Sequence, residues 1–233
     1  MTDTDIRAKY ADTRRQWDGM YDAEADAAIW GEDPAAYVVE DVAALWRRDG
    51  AKRILALPCG DGRNILPLAA EFPGIVAADA SANALRILER RLVRIGAPRI
   101  ATSVENLFGT SFADGAFNAV LTWDVISHLT TPVDAVREML RVLAPGGTLV
   151  MNFFADDDEN IRDDSMTEVS PNELVSKTGL YYRAYGRADV EELAAAVPSR
   201  EHEIKKITWE EQPHQGYREY VHTHKGYVLT LRK

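Results

Sequence analysis

Residues 53–64 read RILALPCGDGRN, and the fold is decided there. Arg53 to Leu57 is a short apolar run that Pro58 ends, after which Gly60 and Gly62 supply a turn where backbone can approach a ligand closely. Asn64 to Phe72 carries a helical pattern, so the stretch is read as strand, tight turn and helix. Free N–H groups and the positive end of the helix dipole would then face whatever lies on the turn. Alone, such a turn marks a nucleotide-like ligand and no more.

Further along, Ile75 to Ala78 makes a second buried strand that closes at Asp79, and Ser81 is the expected N-cap of a helix through Leu92. Asp79 lies 17 residues past Gly62, where a carboxylate can accept hydrogen bonds from both hydroxyls of a ribose. Strands are expected at Arg99 to Val104, Phe117 to Trp123 and Thr148 to Phe154. A helix from Pro132 to Leu143 is stopped by Ala144, Pro145, Gly146 and Gly147. Continuously apolar strands alternating with helices predict a doubly wound, mostly parallel α/β sheet covered on both faces. A helix at Arg187 to Val197 precedes strands at His202 to Trp209 and Tyr217 to Leu231, an expected antiparallel hairpin. The whole chain reads as one domain: a helical cap over 1–49, a cofactor-binding core over 50–154, an acidic loop or lid over 155–185, and the last helix and hairpin over 186–233.

Composition narrows the function. At 233 residues and 46% hydrophobic content, the chain can bury a core without disulfides. No run of about 18 apolar residues suggests a membrane span, and the polar start is unlike a secretory signal. The single cysteine, Cys59, fits a reducing cytoplasm. A formal charge of -10 argues against nucleic-acid partners. The arginines between Arg86 and Arg94 are expected on the wet side of an amphipathic helix.

Four segments in order then carry a family resemblance. ILALPCGDGRN (54–64), IVAADASANAL (75–85), the stretch from Ser103 through Leu107 to Phe117–Val120, and Arg137 to Leu149 with its Pro-Gly-Gly turn together resemble class I (Rossmann-like) S-adenosylmethionine-dependent methyltransferases of the small-molecule type. The resemblance covers Lys52 to Phe154. It implies a seven-stranded sheet with a C-terminal antiparallel hairpin, S-adenosylmethionine as cofactor and S-adenosylhomocysteine as product. This sequence departs from the family pattern at Ala56, where an acid is usual, at Pro58, where the first glycine is usual, and at Ser103, where another acid is often found. Matched residue by residue, Pro58, Cys59, Gly60 and Gly62 would lie along the methionine and ribose part, and Asp79 would hold the ribose diol. Ala80, Ser103 and Val104 would bracket the adenine, with Thr122 and Trp123 beside the methionine part.

Methyl transfer is an in-line displacement that positioning and exclusion of water can accelerate. His128 follows the fourth strand, where family members place residues facing the acceptor, and is the candidate base or orienter. Cys59 has no histidine partner marked in the sequence and is read as a small packing residue rather than a nucleophile. His222 and His224 share one face of a strand, with His214 before them. Histidines at that spacing can bind metal or form a polar wall facing substrate; the wall is the preferred reading and no metal is assigned. Trp17 and Tyr21, four apart on a helix, would pack the cap or close over the methionine end. Tyr182 and Arg218 add aromatic and cationic lining, which also fits a homodimer interface. The expected activity is transfer to an oxygen or nitrogen of a small-molecule acceptor. The rival readings are a catalytically silent S-adenosylmethionine-binding partner subunit and a nicotinamide-dependent oxidoreductase.

Overall fold

The computed structural model describes residues 14–21, 31–98, 100–213 and 220–233. The expectations that fall on 1–13, 22–30, 99 and 214–219, including those for His214 and Arg218, lie outside the described residues. A short helix α1 (Arg14–Met20) comes first, then a π-helical turn (Val38–Val42) that runs into α2 (Ala43–Asp49), which Gly50 ends in the left-handed conformation. Strands β1 (Ile54–Ala56) and β2 (Ile75–Asp79) lead to α3 (Ala82–Arg94), and β3 (Ala101–Val104) and β4 (Phe117–Thr122) to α4 (Pro132–Val142). β5 (Leu143–Phe154), β6 (Met166–Ser170), β7 (Glu173–Ser176) and β8 (Tyr181–Arg183) follow, then α5 (Arg187–Ala195), β9 (Glu201–Glu211) and β10 (His222–Arg232).

The main sheet has seven strands in the order β3-β2-β1-β4-β5-β10-β9. Its first five strands run parallel, and β10 is antiparallel to both β5 and β9, as expected of the terminal hairpin. Alternation along β1 assigns its faces. Leu55 and Leu57 join α4 and α5 in one apolar layer, whereas Ile54 and Ala56 join the second helical turn, α2 and α3 in the other. Ala56, which stands where the family usually has an acid, is thus core. Ser81 caps α3 as expected, its hydroxyl accepting from the Ala84 amide at 3.1 Å.

Four expectations need correction. Between Asn64 and Phe72 the chain forms turns and one 3-10 segment (Leu66–Leu68) rather than an α-helix, because Pro67 has no N–H to give and Pro73 with Gly74 closes the segment. The glycine-rich turn is therefore not followed by the N-terminus of an α-helix. Within the segment 155–185, residues 166–183 form a three-stranded antiparallel sheet, β6-β7-β8, in place of a loop. Its acids are not all solvated, since Asp158 is fully buried. The arginine-rich helix α3 likewise turns one arginine inward: Arg91 is buried and pairs with Asp61 at 3.0 Å. Among the described residues no helix is long and apolar enough to cross a membrane.

Candidate active site

A cavity of about 270 Å³ opens at the carboxyl ends of β1, β2 and β4, where strand order reverses direction around β1 and β4. Crevices of this kind form in doubly wound sheets because the strand-to-helix connections diverge there. The floor is Leu57 to Gly60. Cys59 donates its amide to the Ala78 carbonyl at 2.8 Å, so the turn stays bound to β2 after β1 ends. The Gly60 amide then donates to one oxygen of Asp79 at 2.8 Å, and the Ser81 amide to the other at 2.9 Å. Burial raises the Asp79 pKa, and the backbone donors Ser81, Gly60 and Ala80 act against that rise. A carboxylate offers about four lone-pair sites, so Asp79 can accept from these three amides and still accept from a ribose hydroxyl.

The two glycines differ in role. Gly60 sits at φ +54°, and a Cβ there would come 2.8 Å from the Tyr21 hydroxyl, so it is the position of close approach. Gly62 does not line the cavity. A Cβ at Gly62 would meet Leu88 at 2.3 Å, which makes it a packing glycine under α3 and corrects its expected place along the cofactor. The turn is anchored from below by Arg91, which donates to the Asp61 carbonyl as well as pairing with its carboxylate.

Above the turn, α1 lays Trp17 and Tyr21 over the cavity. Asp18 on the same helix accepts from the Ser81 hydroxyl at 2.7 Å. At the end of β3, Ser103 and Val104 do not line the cavity, and Val104 is 59% exposed; the wall is Glu105 to Phe108. Ser103 instead donates to Glu105 at 2.8 Å. Burial pushes the Glu105 pKa up, but hydrogen bonds from Ser111 and Ser103 outweigh it and hold the carboxyl below its usual value. An acid thus stands two residues after the position where it was missed. At the end of β4, Thr122 is buried in the sheet, and Trp123, Asp124 and Val125 face the cavity. Trp123 stacks on Tyr37 with ring centroids 5.9 Å apart.

The far end is walled by His128, Phe154, Tyr182, Glu211, His222 and His224. Trp17 and Tyr182 meet the His128 ring edge-on at 5.1 and 4.4 Å. Nδ1 of His128 lies 2.9 Å from the Tyr181 carbonyl, which can only accept, so the proton sits on Nδ1 and Nε2 is the acceptor nitrogen. Burial lowers the His128 pKa to about 4, against the hydrogen bond to Tyr181. The ring is neutral at pH 7. Arg63 donates to Asp124 at 3.1 Å and Glu211 at 3.2 Å, joining the glycine-rich turn to β9. Asp124 is held at φ +54° by exchange with Asn152, its amide donating at 2.7 Å and its carboxylate accepting at 2.6 Å. Its pKa is raised by burial, with Arg63 opposing. Burial likewise pushes the Cys59 thiol well up, consistent with a packing residue.

Residues 54–147 match a family model described as a methyltransferase domain. That segment carries the sequence pattern of a methyltransferase domain. Solved structures of similar fold include a SAM-dependent methyltransferase from Methanosarcina mazei, with TM-score 0.55 and 18% identity over 77% of this chain and 92% of that one. The chain is 35% identical over 104 residues to demethylmenaquinone methyltransferase of Clavibacter sepedonicus, covering 45% of this chain and 42% of that protein. It is 29% identical over 128 residues to a ubiquinone biosynthesis O-methyltransferase of a Caulobacter species, covering 50% and 49%. The chain spans about half the length of the curated relatives it matches. In fold it is similar to a solved protein that converts a disulfide bond into a thioacetal group in echinomycin biosynthesis, with TM-score 0.72 and 12% identity over 95% of this chain and 93% of that one. Among the residues lining or bordering the cavity, the sequence reading missed Arg63, Glu105, Asp124 and Glu211. A charged side chain beside a motif was the available sign for the first three.

Proposed function

We propose that this domain transfers the methyl group of S-adenosylmethionine to an oxygen or nitrogen of a small-molecule acceptor. The observation that carries the reading is one continuous cavity with two chemically distinct ends, the Asp79 turn and the His128 wall. Pro58, Cys59, Gly60, Asp79 and Ala80 would hold the cofactor, with Glu105 to Phe108 on its adenine side and Trp123 toward its methionine part. Bound there, the cofactor supplies an electrophilic methyl group on a sulfonium. Trp17 and Tyr21 cover this end and exclude water, and Tyr182, Phe154 and His128 orient the acceptor. A side-chain pKa of about 4 makes His128 a hydrogen-bond acceptor that aligns a hydroxyl or amine N–H, rather than a group that keeps the proton.

The relative named as an O-methyltransferase supports an oxygen acceptor, and the mixed aromatic and polar wall supports a small ring-bearing one. The single cysteine supports a cytoplasmic setting. Metabolites from cells with and without the protein, compared by mass spectrometry, should contain a pair differing by one methyl in place of a hydrogen. Purified protein should then release S-adenosylhomocysteine with the lighter member. If S-adenosylhomocysteine binds but no small-molecule fraction elicits its release, the silent-subunit reading replaces this one.

A further inference from the structure

Three side chains at the acceptor end converge in a way the proposed transfer does not require. His222 and Glu211 are directly opposed across the β9–β10 ladder, and His224 follows two residues on, so all three project from one face of the hairpin. Their ligating atoms lie within 4.8 Å of one another. Glu211 Oε2 is 3.8 Å from Nε2 of His222 and 3.9 Å from Nε2 of His224. Those separations are too long for hydrogen bonds between the groups, and they suit three ligands arranged around a common point.

The surrounding groups fix the donors in the orientation a cation needs. Nδ1 of His224 lies 2.7 Å from Asp158 Oδ2, and Nδ1 of His222 lies 3.1 Å from the Tyr220 carbonyl. With the proton on Nδ1 in both rings, both Nε2 lone pairs point toward Glu211. Asp158 is fully buried and is held by the amides of Asn160 at 2.9 Å and Lys225 at 3.2 Å. A carboxylate behind a ligating imidazole is the usual outer support of a metal site. Arg63 and Trp209 each donate to the other oxygen of Glu211 at 3.2 Å, which sets the direction of Oε2.

We infer that Glu211, His222 and His224 form a binding site for one first-row divalent cation of the zinc type, open toward the cavity. Two imidazoles and one carboxylate match the ligand preference of such ions, and a three-ligand site keeps a coordination position for substrate. Contraction by a few tenths of an ångström would bring these atoms to bonds of about 2.0–2.1 Å. This favours the metal alternative over the polar wall that the sequence reading preferred. Given the methyltransferase reading, the cation would take the acceptor's hydroxyl as a ligand and ease release of its proton to water. The site itself does not depend on that reading.

The test is metal binding by chelator-stripped protein. Zinc is titrated in competition with a chromophoric chelator, and cobalt is followed by visible absorption. Wild-type protein should take up one zinc per chain at micromolar concentration or below, and cobalt should develop the intense visible bands of a tetrahedral or five-coordinate site. His224→Ala and Glu211→Gln should each weaken zinc binding by at least about tenfold, and Asp158→Asn by about 10- to 100-fold. Cooperative thermal unfolding checks that each variant is folded. Wild-type protein that unfolds cooperatively yet takes up no zinc overturns the inference, as do folded His224→Ala and Glu211→Gln variants that bind zinc like wild type. S-adenosylhomocysteine calorimetry on the same samples separates the two proposals. Zinc uptake without S-adenosylhomocysteine binding keeps the metal site and removes the methyltransferase reading.

Discussion

The Ser81 hydroxyl donates to Asp18 at 2.7 Å and accepts from the Ala84 amide at 3.1 Å, so one atom both caps α3 and ties α1 across the glycine-rich turn. Two variants separate these roles. Ser81→Ala should cost about 1 kcal/mol in denaturant unfolding through the lost cap. Asp18→Ala removes only the tie to α1, and should leave stability within about 0.5 kcal/mol while weakening S-adenosylhomocysteine binding severalfold. Equal cofactor affinity in Asp18→Ala and wild type would show that this tie does not hold the cover in place.

Arg91 reaches from α3 to both the carbonyl and the carboxylate of Asp61, and is 3% exposed. Replacing it with methionine keeps much of the volume and removes the charge from beside a buried carboxylate. Arg91→Met should lose on the order of 3 kcal/mol, read as a lower urea midpoint with unchanged slope. A change below about 0.5 kcal/mol would mean that Asp61 needs no cation.

The buried His128 makes stability depend on pH with a definite sign. Its folded pKa of about 4 lies below the ordinary 6.5, so between those values the unfolded chain binds a proton that the folded one refuses. The histidine's contribution is complete above about pH 6.5, falls as pH drops toward 4, and saturates below that. The full difference is on the order of 3 kcal/mol. Subtracting the urea stability profile of His128→Gln from that of wild type should isolate this slope. Parallel profiles would contradict the buried neutral ring.

The core was legible in the sequence because its evidence is local. The apolar run from Ile54 to Leu57, the closing Asp79 and the Ser81 cap are each decided within a few residues, and each stands in the structure as read. What failed depended on distance or direction. Spacing alone cannot distinguish Gly60, which faces Tyr21, from Gly62, which packs on Leu88. Amphipathic reading assigned the arginines of α3 to solvent, yet the side chain of Arg91 reaches a residue 30 positions away. Glu211 was missed because its pairing with His222 is a matter of register across the connection between β9 and β10, which the chain leaves open until the hairpin is folded. The strands of 155–185 are short and half exposed, so their alternation is lost among acids.

Asp79 and the Gly60 amide, 2.8 Å apart, are the structural centre of the account. Isothermal titration of the wild-type protein and Asp79→Ala with S-adenosylhomocysteine and NADH tests it most directly. Wild type should bind one S-adenosylhomocysteine per chain and no NADH, and folded Asp79→Ala should bind it at least about tenfold more weakly, the loss of hydrogen bonds to a charged acceptor. Binding of NADH alone, or unchanged S-adenosylhomocysteine affinity in Asp79→Ala, would contradict it.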